Sequence, residues 1–99
     1  MTKRQFAVTI KIMKITALKD IIRKDVPIYY RRVYSGTLVV ELISKSEESH
    51  IDFTLETKPT GVNEVIINAM ENIDYPLLPL TKEIKKYISS LDETGGLPI

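Results

Sequence analysis

The stretch from His50 to Glu71 constrains the fold more than any other, because two alternating segments meet there at a four-residue reversal. In HIDFTLET (50–57), Ile51, Phe53 and Leu55 fall on one side and His50, Asp52, Thr54 and Glu56 on the other. A repeat of two is that of a strand, whose successive side chains point to opposite faces. KPTG (58–61) places proline and glycine where a tight reversal wants them. VNEVIINAME then returns as a second strand, with Val65, Ile67 and Ala69 expected to face the core. Such a hairpin commits the chain to an antiparallel sheet with one apolar face, and that face must be covered by another element.

Upstream, Phe6, Val8, Ile10 and Ile12 also alternate with their neighbours and are read as a half-buried strand. Thr16 is placed to cap a short helix carrying Leu18, Ile21 and Ile22, with Asp20 and Lys24 four residues apart on its surface. Pro27 ends it, since the residue before a proline is pushed out of the helical region. A single helix over 6–24, through Phe6, Ile10, Met13 and Ala17, fits the same spacing, and both readings stay open.

VPIYYRRVYSGTLVVEL (26–42) holds three tyrosines and two adjacent arginines before an apolar run. Gly36 is read as the positive-φ residue of a three-residue hairpin loop, Tyr34–Ser35–Gly36. That register puts Ile28, Tyr30 and Arg32 on the face of Leu38, Val40 and Leu42, and puts Arg31 on the face of Glu41. Adjacent residues on a flat strand point opposite ways, so the two arginines do not jointly clamp one phosphate. The polar SKSEES (44–49) is read as the end of that strand. Thr81 to Leu91 gives Ile84, Ile88 and Leu91 at helical spacing with Lys82, Lys85 and Lys86 exposed, and Gly95 is placed to stop the helix.

The expected architecture is therefore a single small α+β domain, with a core over about residues 5–92 and a flexible C-terminal tail at 93–99. It is a mainly antiparallel meander of about four strands with two helices packed on one face, the second of them C-terminal. Ninety-nine residues suit one such core. The expected core is Leu38, Val40, Leu42, Ile51, Phe53, Leu55, Val65, Ile67, Ile84 and Ile88.

Chemistry is sparse. The chain has no cysteine and one histidine, so thiolate chemistry, a disulfide scaffold and histidine-paired catalysis have no basis. His50, Asp52 and Glu56 share a face, but Glu56 lies far along the strand, and a third ligand would have to come from a neighbour such as Glu64 or Asn68. The four glycines form no phosphate loop. No cofactor, metal or small-molecule ligand is expected. Apolar runs are short and interrupted by lysines, so neither a membrane span nor a secretory segment fits, and a cytoplasmic location is expected.

Charge is unevenly spread. Residues 1–34 hold nine Lys or Arg against two acids, and residues 35–99 hold five against eleven. Two functions follow as expectations. The first is a non-catalytic binding or assembly module, meeting a protein partner or a second copy through apolar residues left on the second sheet face, Val39, Ile43, Ile66 and Met70. The alternative is nucleic-acid binding, with Lys14, Lys19, Arg23, Lys24, Arg31 and Arg32 as phosphate contacts and Tyr29 and Tyr30 as stacking surfaces.

Overall fold

A computed structural model describes residues 13–98. The strand expected from Phe6 falls outside this range apart from its end at Met13. Four strands, β1 (Met13–Lys24), β2 (Arg31–Leu42), β3 (Ser46–Thr57) and β4 (Asn63–Met70), precede one helix, α1 (Leu77–Glu93). The sheet is an antiparallel meander in the order β1-β2-β3-β4. The antiparallel α+β architecture stands, with one helix among the described residues in place of two.

The segment read as a helix over 16–24 is strand. Its register with β2 shifts between Ile15 and Ala17 and again between Lys19 and Ile22. These bulges break the alternation, so the buried Met13 and Leu18 and the half-buried Ile15 and Ile21 acquire the three- and two-residue spacings that imitate a helical stripe. Asp20 takes φ 54°, a conformation no α-helix passes through. Thr16 caps nothing; its hydroxyl donates to the Val39 carbonyl at 3.4 Å across the β1–β2 pair.

The second correction concerns Tyr34–Ser35–Gly36, which lies inside β2 opposite Phe53, Asp52 and Ile51. Tyr34 is fully buried, and its ring stacks on Phe53 with centroids 5.2 Å apart. Gly36 is there for close approach. A Cβ at that position would stand 3.2 Å from the Lys19 carbonyl oxygen and 3.3 Å from Leu18 Cδ1, where the second bulge of β1 leans in. Gly36→Ala is expected to cost about 1 kcal/mol by thermal or denaturant melts. The overpacking penalty of about 1–3 kcal/mol exceeds the gain of about 0.4–1 kcal/mol from a stiffer unfolded chain. The reversal itself comes later, where Leu42 N–H donates to the Lys45 carbonyl at 2.7 Å, so Ser46–Ser49 belong to β3.

α1 starts four residues before the expected Thr81 and takes in Pro79. That proline is the third helical residue, where the backbone N–H has no intrahelical acceptor to lose. Leu80, Ile84 and Ile88 are buried along one side. The helix ends as expected at Gly95, φ 77°, with Gly95 N–H donating to the Asp92 carbonyl and Gly96 N–H to the Leu91 carbonyl. The tail expected to be flexible folds back on the sheet: Leu97 is buried, and the Pro98 carbonyl accepts from the Tyr34 hydroxyl at 3.3 Å.

The core lies between α1 and one face of the sheet. Eight of the ten expected core residues are buried, and Leu42 and Ile67 pack against them partly covered. Met13, Leu18, Tyr34, Ile73, Leu80 and Leu97 complete the cluster. Among the described residues no helix is long and apolar enough to cross a membrane.

Candidate interaction surfaces

Arg31 and Arg32 part as adjacent strand residues must. Arg32 points to the helix side, where its guanidinium donates to both carboxylate oxygens of Asp92, at 3.0 and 3.3 Å, and to the Tyr34 hydroxyl at 3.3 Å. Asn63 adds a 3.0 Å bond to Asp92. Both partners are largely covered, and the Arg32 guanidinium holds the Asp92 carboxyl below its usual range. This network ties β2, β4 and the end of α1 together. Neither Asp92 nor Asn63 stood out in the sequence, because the contact joins residues sixty positions apart.

On the opposite, open face Arg31 pairs with Glu56 at 2.8 Å, not with Glu41, because register sets Arg31 directly across from Glu56. Lys58 reaches the same carboxylate at 3.3 Å and Glu64 at 2.8 Å. Hydrogen bonds from Arg31 and then Lys58 hold the Glu56 carboxyl below its ordinary value. From β1, Lys19 pairs with Glu48 at 2.8 Å and Lys24 with Asp52 at 3.6 Å. Both acids belong to β3, so these lysines lie across β2, whose open-face residues Val33, Ser35, Thr37 and Val39 are short enough to be bridged. The basic first third and the acidic remainder thus meet as cross-strand pairs on one face.

The nucleic-acid candidates therefore do not converge. Lys19, Lys24, Arg31 and Arg32 each face an acid, while Lys14 and Arg23 lie on opposite faces of β1. The His50 ring rests against Asp52 at 3.2 Å, and Glu56 is taken up by Arg31 and Lys58. Among the described residues no group of three His, Cys, Asp or Glu is placed to hold a metal ion.

The apolar candidates disperse as well. Ile43 is at the β2–β3 turn, and Met70 packs against the core from the end of β4. Val39 and Ile66 share the open face but lie opposite Glu48 and Thr54 of β3, about 20 Å apart along that strand. No continuous strip joins them.

Two surfaces emerge instead. At one end of the sheet the β1–β2 loop and the β3–β4 turn bring together exposed Val26, Tyr29, Tyr30 and Val62. The two tyrosine rings meet edge-on, centroids 5.8 Å apart, and Arg31 lies 6.0 Å from the Tyr30 centroid. Thr57 N–H donates to the Tyr30 carbonyl at 2.9 Å and anchors the loop to β3. Sequence reasoning found the tyrosines but missed Val26 and Val62, whose signal, an apolar residue beside a turn proline or glycine, is too common to single out. The second surface is a groove between the outer edge of β4 and the first half of α1, lined by Ile67, Met70, Tyr75, Leu77 and Leu80 among others.

The model of the BB_0187 family matches residues 10–93, a span that takes in all four strands and the helix, so the chain belongs to that family. No curated protein and no solved structure matches it.

Proposed function

We propose that this family member is a non-catalytic binding module that presents the aromatic end of its sheet to a protein partner. The observation that carries this is Tyr29, whose side chain is 98% exposed on a loop whose base is fixed by Arg31–Glu56 and by the Thr57–Tyr30 backbone bond. A ring so placed adds nothing to the core, and Tyr30, Val26 and Val62 extend the apolar surface around that end. Tyrosine and arginine are the residue types that carry contact energy in protein interfaces, and apolar groups gathered in one exposed place mark such surfaces. The charges there balance, since Arg31 and Lys58 are met by Glu56 and Glu64. A phosphate backbone is drawn by surplus cations, so this balance favours protein over nucleic acid.

Changing Tyr29→Ala together with Tyr30→Ala is expected to move Tm by no more than about 3 °C, as for other exposed positions. The same variant is expected to lose at least about tenfold in protein cross-linking from a benzophenone side chain introduced at Val62 in cells, the loss of an interface anchor. Undiminished cross-linking sinks the proposal. Retention of the wild-type protein on nucleic acid at low salt, abolished by the same double change, replaces it with the nucleic-acid alternative.

A further inference from the structure

The two edges of the sheet are built differently. β1 carries two register shifts, Asp20 at positive φ, and Lys14, Lys19, Arg23 and Lys24. Bulges and lysines are the means by which natural sheets keep an edge from pairing with another chain. β4 has six consecutive uncharged residues, Val65–Met70, and one irregularity, at Asn68. Among the described residues no strand pairs with its outer side, and the groove against α1 runs along it.

We infer that β4 pairs antiparallel with β4 of a second copy of this chain, about a two-fold axis at Ile66. Directly opposed residues in an antiparallel pair share a face. The register of β4 on β3 places Glu64 and Ile66 on the open face, opposite Glu56 and Thr54, and places Val65 and Ile67 on the helix face, opposite Leu55 and Phe53. Asn68 is on the open face too, since its Oδ1 accepts from the Thr54 hydroxyl at 2.7 Å. Centred on Ile66, the two-fold sets Ile66 against Ile66, Val65 against Ile67 and Glu64 against Asn68 of the second copy. Every pair then matches in face and character, and no like charges oppose. Because Asn68 Oδ1 already serves Thr54, its amide N–H groups are the ones left to meet the Glu64 carboxylate.

Neighbouring registers fail. An axis at Ile67 sets Val65, on the helix face, against Ala69, which the bulge has turned to the open face opposite Asp52. An axis at Val65 sets the Glu64 carboxylate against Ile66. This self-pairing is independent of the aromatic end, so the Tyr29 and Tyr30 changes leave it untouched.

The absence of cysteine from the chain makes single-cysteine variants direct reporters of this geometry. Residues opposed on the axis hold their Cα atoms about 4.5–5.5 Å apart, within the span of a disulfide. Wild-type protein is expected to sediment as a dimer. Under mild oxidation Ile66→Cys is expected to cross-link two chains at least about tenfold faster than Ile43→Cys, the exposed control at the β2–β3 turn, because pairing raises the local thiol concentration. Ile66→Lys and Ile66→Glu, each placing like charges on the axis, are expected to be monomers alone and to recover the dimer when mixed in equal amounts. A wild type that stays monomeric up to its solubility limit overturns the inference, as do equal cross-linking rates at the two positions. A dimer indifferent to residue 66 overturns it too, by placing the interface elsewhere.

Discussion

Phe53→Ala is expected to lower the unfolding free energy by about 3–5 kcal/mol, the cost of emptying a fully packed aromatic site. Phe53 is completely buried, stacks on Tyr34, and sits between the half-buried Ile67 of β4 and the middle of β2. Its removal opens the core where β2, β3 and β4 meet, and the surrounding strands are tied by backbone bonds that limit collapse into the gap. Domains of this size hold only about 5–15 kcal/mol in total, so the variant should be largely unfolded at modest denaturant concentrations. A denaturant titration showing a loss under about 1 kcal/mol would mean that Phe53 does not face the core.

The second large effect separates two neighbours. Arg32→Ala is expected to cost about 2–3 kcal/mol, because it removes a two-pronged, largely covered pair and leaves the Asp92 carboxylate only the Asn63 amide as a side-chain donor among the described residues. Arg31→Ala removes a pair whose arginine is exposed and should cost about 0–1 kcal/mol. The pH dependence follows from Asp92, whose carboxyl is held below its unfolded value chiefly by the Arg32 hydrogen bonds. A depressed acid gives its full stabilisation above the unfolded pKa, about 3.9. That stabilisation is lost as pH falls from there through the lower folded value. Wild type and Arg32→Ala should therefore differ most near neutral pH and converge below about pH 4. Thermal melts of both single variants across this range check the inequality and its sign, and a gap that widened in acid would remove Asp92 from the explanation.

How far residues could be read without coordinates depended on whether local chemistry or distant contact decided them. The opposite orientation of Arg31 and Arg32 was legible, since it needs only the two-residue period of a strand. Their partners, Glu56 and Asp92, were not, because each depends on which strand or helix end lies across the fold. Gly36 shows the same division. Its backbone importance is visible in the sequence, but a missing Cβ serves a turn and a close approach equally well, and only the lean of the β1 bulge decided between them.

By itself the sequence determined the antiparallel hairpin of β3 and β4, the C-terminal helix with its stop at Gly95, and most of the core, because period, turn chemistry and capping are properties of contiguous residues. Tertiary structure alone decided that residues 13–24 form a strand. Two bulges gave that segment the spacing of a helix, and pairing with β2 outweighed the local pattern. It also decided where charge and apolar surface came to rest. Basic and acidic halves cancelled across the open face, the expected apolar strip dispersed, and exposed surface collected at the tyrosine end and along β4. Proximity between distant residues is set by register and strand order, which no single stretch of the chain encodes.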